Sequence, residues 1–186
     1  MITNEEHYCQ NPISFPLDKF HQTGTDKGKW VLIVGESPAE NGWRKSGKAF
    51  YNPQGKILPT GKRLNLLLSP FNLSVETCGF TELAKCFVGK NRKALDKCSL
   101  GCWPIFLKQL ESVNYKLIII LGVKTLEIFN TLNKTELKTG VLSETKINGK
   151  NYAILGIYHP SPINPQGQRK NQAIFESLTK SLLAEG

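Results

Sequence analysis

The sequence predicts an α/β domain of three layers, α/β/α, around a mainly parallel four-stranded central sheet. Three observations predict it. Short apolar runs that read as strands alternate along the chain with longer segments carrying leucines at helical spacing, and such alternation builds parallel sheets covered by their crossover helices. Lys116 to Leu121 is the clearest buried strand, closed by Gly122. The informative polar residues fall where predicted strands end: Gly35-Glu36, Ala84 to Cys86, Gly122 and His159. Ligands of parallel sheets sit beyond those carboxyl ends.

Taken in order, residues 1 to 28 read as a polar, irregular arm packed on one domain that spans 1 to 186. Trp30 to Val34 is an apolar, β-branched run ending at Gly35 and reads as the first buried strand. Residues 35 to 60 are polar and rich in Pro and Gly, a long loop of the kind that carries function. Thr60 is placed to cap a helix to about Leu68, with Leu64, Leu67 and Leu68 on one face. Residues 79 to 86 form the second strand, followed by a basic loop and a helix from about Leu100 to Ser112. After Lys116 to Leu121 comes a helix from Val123 to Leu132. Thr145-Lys146, the Asn148-Gly149 turn and Asn151 to Tyr158 suggest a hairpin whose second arm delivers His159. Asn171 to Ala184 is the terminal helix.

Length and charge narrow the partners. With 186 residues the chain can bury a substantial core. Its longest strongly apolar stretch, Leu117 to Leu121, is too short to cross a bilayer, and the start shows no basic region followed by an apolar one. The expectation is a cytoplasmic monomer without membrane contact. Lys and Arg outnumber Asp and Glu by 24 to 15, for a net charge of +9. That favours a polyanion, because neutralising phosphates releases their counterions. Basic residues gather at Lys85, Lys90, Arg92, Lys93 and Lys97, and again at Arg169 and Lys170. Five cysteines, an odd number in a reducing compartment, argue against a disulfide framework.

The segment Tyr158-His159-Pro160-Ser161-Pro162-Ile163-Asn164-Pro165-Gln166 carries one of three histidines, then three prolines. Proline fixes φ and donates no backbone hydrogen bond, so the loop is preset and meets a ligand at little entropic cost. Alone, it is equally a Pro-rich turn after an edge strand. It is paired, however, with a first loop in which Ser46-Gly47-Lys48-Ala49-Phe50 follows nine residues after Ser37 of Gly35-Glu36-Ser37-Pro38.

Together the two loops resemble the uracil-DNA glycosylase superfamily. The first is similar to the thermophile-type, family 4 pattern, and the second is closer to the single-strand-selective monofunctional branch. The resemblance covers roughly residues 28 to 184. It implies a monofunctional glycosylase that flips a deaminated base, uracil first among them, out of DNA and hydrolyses its bond to deoxyribose. Cleaving that bond builds positive charge on the sugar and negative charge on the departing base. The resemblance gives Glu36 the first charge, orienting water, and His159 the second, as a donor to the base oxygen. Phe50 suits the aromatic shelf for a flipped base, with Gly35 and Ser37 beside it. Ser161, Pro162, Asn164, Arg169 and Lys170 fall to the DNA backbone, and Ile163 or Gln166 to the gap left by the base. Solvated or core roles remain open for each: a turn carboxylate for Glu36, a turn imidazole for His159, a core ring for Phe50.

Two departures qualify the resemblance. The second-strand run is Thr81-Glu82-Leu83-Ala84-Lys85-Cys86, so Glu82 stands where the family reads the base with Asn. An amide donates to uracil O4 and accepts from N3–H, whereas an ionised carboxylate only accepts. A protonated acid mimics the amide. An ionised one suits amino-bearing bases, which opens hypoxanthine, xanthine or a modified pyrimidine as substrate; Glu82 pointing away toward Lys85 is a third possibility. A non-catalytic nucleic-acid-binding protein on the same fold is the remaining alternative. Cys86 and Cys102, sixteen residues apart, match the spacing of two iron–sulfur ligands in the family, but the N-terminal pair reduces to Cys9. Cys98 completes a set of Cys9, Cys86, Cys98 and Cys102 for a structural [4Fe-4S] cluster; zinc or buried thiols are the alternatives.

Overall fold

The fold is that of a computed structural model describing residues 20–39, 42–89 and 92–184. The arm residues before Phe20, including Cys9, and Lys90 of the basic loop lie outside them. Six strands form one sheet: β1 (His21–Gln22), β2 (Gly28–Gly35), β3 (Cys78–Glu82), β4 (Leu117–Leu121), β5 (Leu142–Ile147) and β6 (Lys150–Ile157), in the order β1-β3-β2-β4-β6-β5. The four expected strands are its parallel centre, β3-β2-β4-β6. The count of four is corrected to six, because antiparallel β1 and β5 extend the two edges. β5 is the first arm of the hairpin; β1 arises where an irregular arm was expected, when two residues pair with Thr81 and Phe80.

The helices are α1 (Trp43–Ser46), α2 (Pro59–Leu68), α3 (Arg92–Ser112), α4 (Val123–Asn133) and α5 (Pro165–Ala184). Period-two alternation in the strands sorts the core into two halves. Leu32, Val34, Ile118, Ile120 and Ile154 face Leu95, Phe106 and Leu110 of α3 and Leu126 and Phe129 of α4. Val31, Ile33, Ile119, Leu121, Leu155 and Ile157 face Trp43 of α1, Leu64 and Leu68 of α2, and Phe175 of α5. The expected three layers follow directly from that sorting.

Several boundaries differ. β3 stops at Glu82 rather than Cys86, so the carboxyl end of that strand is Glu82 itself. Thr60 does not cap α2; Leu58 holds the cap position, Pro59 starts the helix and no side chain caps it. Proline suits this first turn because its missing N–H had no partner there anyway. α3 begins eight residues earlier than expected and contains Pro104. α5 begins at Pro165 rather than Asn171: Asn164 Oδ1 accepts from Gly167 N at 2.9 Å, which caps the new first turn. Gln166, Arg169 and Lys170 therefore lie on helix, not loop.

Candidate active site

The ends of β2, β3, β4 and β6 open into one cleft of about 460 Å³, whose walls include Gly35, Glu36, Phe50, Glu82, Gly122 and His159. Glu36 and His159, 123 residues apart in sequence, thus face one space. Ser37 also lines it. The ladder between the first two strand ends continues past their last residues. Leu83 N donates to Gly35 O and Ala84 N to Glu36 O, each at 2.9 Å, which holds Glu36 against the end of β3.

His159 is fixed from behind. Asn171, fully buried on α5, donates through Nδ2 to Tyr158 O at 2.8 Å and accepts from Tyr158 N at 2.9 Å. Both backbone groups of the residue before the histidine are held by one amide. Gly122 N donates to Ile157 O at 2.7 Å. Gly122 has φ +103°, a left-handed conformation that glycine takes without strain at this turn, and a Cβ there would only touch His159 Cβ at 3.5 Å. Arg63 Nη1 of α2 donates to Ser161 O at 2.6 Å, anchoring the loop beyond. The imidazole is reachable through the cleft mouth. Surrounding protein nonetheless desolvates its cation and lowers its pKa below the usual 6.5, against an opposing pull from Glu36. At neutral pH it is a neutral ring.

Phe50 is 8% exposed and has φ +63°, a left-handed backbone uncommon for an aromatic residue. Its ring packs on Phe80 with centroids 4.4 Å apart. A Cβ on Gly61 of α2 would come within 2.9 Å of Phe50 Cβ, so the helix supplies a bare backbone where Phe50 is seated.

Glu82 lines the cleft and is 7% exposed. Its Oε2 is buried without a hydrogen-bond partner among the described residues. Burial pushes its pKa up to about 8, with Lys85 opposing and Glu36 adding to the rise. Lys85 is fully buried and does not belong to a basic surface, as its place in the charge cluster suggested. Its Nζ donates to the Glu82 carbonyl, to Thr81 Oγ1 at 2.6 Å and to Gln109 Oε1 at 2.9 Å. Burial lowers its pKa to about 8.

Beyond the cleft, Pro162, Ile163, Arg169 and Lys170 are exposed, Ile163 at 91%. Lys170 Nζ sits 4.8 Å over the Tyr158 ring. Asn164 is engaged as the cap of α5. Cys86, Cys98 and Cys102 are all buried, Cys98 and Cys102 one turn apart on α3, and Cys102 Sγ accepts from Lys85 N at 3.2 Å. Among the described residues no three His, Cys, Asp or Glu side chains form a metal-holding group, and Cys9 falls outside them. Cys78 sits at the opposite end of β3, where burial pushes its thiol up to about 11.

Sequence reasoning missed Asn171, Arg63 and Gly61. The signal for Asn171 was present: a polar residue one turn before Phe175 on the inward face of α5.

A family model described as the uracil DNA glycosylase superfamily matches residues 21–183. Curated relatives include a type-4 uracil-DNA glycosylase of Saccharolobus solfataricus, 28% identical over 98% of this chain and 85% of its own length. Another, of Archaeoglobus fulgidus, is 25% identical over 83% of this chain and 77% of its own.

Proposed function

The chain belongs to the uracil-DNA glycosylase superfamily, and from that premise we propose that it is a monofunctional DNA glycosylase that excises uracil by hydrolysis. The carrying observation is one cleft walled by a carboxyl group and an imidazole from the ends of the first and last parallel strands. Glu36 holds a water against the sugar carbon and takes its proton as the glycosidic bond opens. The bonding electrons leave with the base, and neutral His159 donates an N–H to the base oxygen where that charge collects. A fixed donor of this kind contributes about 10²–10³ in rate. Phe50 stacks the flipped base, while Ser161, Pro162, Asn164, Arg169 and Lys170 lie along the DNA backbone.

Water rather than an amine as nucleophile is supported by the lysines. Lys85 spends its donors on Thr81, Glu82 and Gln109. Lys124, on the cleft wall, lies 3.6 Å from Asp96 and 3.8 Å from Glu127.

The same reading assigns a structural [4Fe-4S] cluster to Cys9, Cys86, Cys98 and Cys102. Cys98 and Cys102 lie buried one turn apart on α3, and a backbone N–H directed at Cys102 sulfur supports thiolate ligation there. Bound there, the cluster would cross-link the arm to α3 and take no part in excision. Iron and sulfide in anaerobically purified protein, lost in Cys98→Ser, check this assignment.

The functional test uses labelled oligonucleotides carrying one uracil, hypoxanthine or xanthine, cleaved by alkali after incubation. Uracil release is expected, with His159→Ala and Glu36→Ala each slowing single-turnover release at least about a hundredfold. Binding without an abasic product on any substrate would instead make the chain a DNA-binding protein, and unaffected rates in both variants would remove the two assignments.

A further inference from the structure

We propose that Glu82 reads the flipped base as a neutral carboxylic acid, donating its O–H to the exocyclic oxygen of uracil and accepting the neighbouring ring N–H on its other oxygen. The inference rests on the uracil-excision reading and specifies the chemistry of its pocket.

Its basis is geometric. Glu82 lines the cleft at the strand end paired with Gly35. A Cβ on Gly35 would lie 3.1 Å from Glu82 Cγ and 3.4 Å from its Oε1, so the side chain is seated against bare backbone. Oε2 is a buried polar atom with no partner among the described residues, and such an atom is costly unless something arrives to bond it. A base edge is what the cleft between Phe50 and His159 would bring.

The ionisation state follows from the neighbours. Glu36 faces Glu82 from the end of β2, and a second anion beside it is disfavoured. Lys85 is the opposing cation from the loop after β3, but its Nζ bonds the Glu82 main-chain carbonyl rather than the carboxylate. His159, from the end of β6, is neutral at working pH. Lys124, at the start of α4, is exposed and paired with Asp96 and Glu127. Burial dominates and holds the acid protonated up to about pH 8. A protonated acid offers one donor and one acceptor; its anion offers acceptors only and repels uracil O4. An acid kept neutral so that it can donate is an established device of buried sites.

The predicted signature is an alkaline decline that Glu82→Gln removes. Single-turnover uracil release by the wild type should fall about tenfold per pH unit once Glu82 ionises, above about pH 8. Glu82→Gln, with the same shape and a donor that never ionises, should show no such decline. A second readout is independent of turnover: binding of a duplex carrying non-hydrolysable 2′-fluoro-deoxyuridine, relative to the undamaged duplex, at pH 6.5 and pH 9. That preference should shrink at least about tenfold in the wild type and hold in Glu82→Gln. Superimposable profiles for the two proteins in both readouts would overturn the inference. Absence of uracil release at every pH with the binding signature intact would sink the proposed function and leave the base-reading role standing.

Discussion

Phe50 offers a test in which the usual order of two substitutions should invert. Its φ of +63° is a conformation that costs an L-residue about 1–2 kcal/mol. The ring holds it there by packing on Phe80 at 4.4 Å, at 8% exposure. Phe50→Ala removes the ring, at about 3–5 kcal/mol, and keeps the backbone strain because Ala retains a Cβ. Phe50→Gly removes the same ring and the strain together. Glycine's greater freedom in the unfolded chain returns about 0.4–1 kcal/mol of that relief. The glycine variant should therefore be the more stable of the two by about 0.5–1 kcal/mol, against the ordinary preference for Ala over Gly. Urea denaturation followed by tryptophan fluorescence measures this, with Trp43 packed 5.0 Å from Phe80 as a local reporter. Both variants should also lose base stacking, weakening uracil-DNA binding about 5- to 150-fold. An alanine variant more stable than the glycine one would refute the claim that packing of the Phe50 ring holds a strained backbone in place.

Three further outcomes are expected. Asn171→Ala strips partners from Tyr158 N–H and C=O; it should cost about 2–4 kcal/mol in urea denaturation and lower the single-turnover rate more than DNA affinity, whereas equal losses in both would make Asn171 merely structural. Glu82 binds its proton more tightly folded than unfolded, so stability should decline as pH rises from about 4.5 to about 8 and level off above. Chemical denaturation of Glu82→Gln across that window should lose that share of the slope, at a scale of about 1.4 kcal/mol per unit. Finally, Glu36→Gln removes the anion that helps keep Glu82 protonated, so the alkaline loss of 2′-fluoro-deoxyuridine binding should move to lower pH; a midpoint that moves up or stays would separate the two groups.

Much of the fold was legible because strand burial writes itself into composition. Val31 to Val34 and Ile118 to Leu121 are buried on both faces and could be read from apolar runs alone. The edge strands were less legible. β1 is two residues long and forms only because Thr81 and Phe80 offer an open edge, a tertiary cause with no local signature. The start of α5 was missed because Pro162 and Pro165 look like a loop, yet Pro165 opens a helix as readily as it breaks one. At the site, Glu36, Phe50, Glu82 and His159 could be named from two loops and one strand end. Lys85 misled for a physical reason: a lysine in a basic stretch reads as surface, and only the folded acceptors of Thr81, Glu82 and Gln109 explain its burial. Asn171 was hidden because its partners are backbone groups thirteen residues away.

The two acidic residues of the cleft account for each other. β2 and β3 are parallel neighbours, with Gly35 paired to Glu82, so their carboxyl ends necessarily bring Glu36 and Glu82 to one place. Two carboxylates sharing a partly buried site are not both ionised cheaply. Accessibility decides which gives way: Glu36 is half-buried and open to the cleft, while Glu82 is sealed at 7% exposure. The sealed group keeps the proton and gains a donor; under the proposed function, the open one would face the water and the positively charged sugar. An amide in place of Glu82 would read the same base edge without titrating. Under the proposed function, the carboxyl would couple base reading to the charge of the group across the cleft, so that binding a flipped base and polarising water would be linked through one shared field.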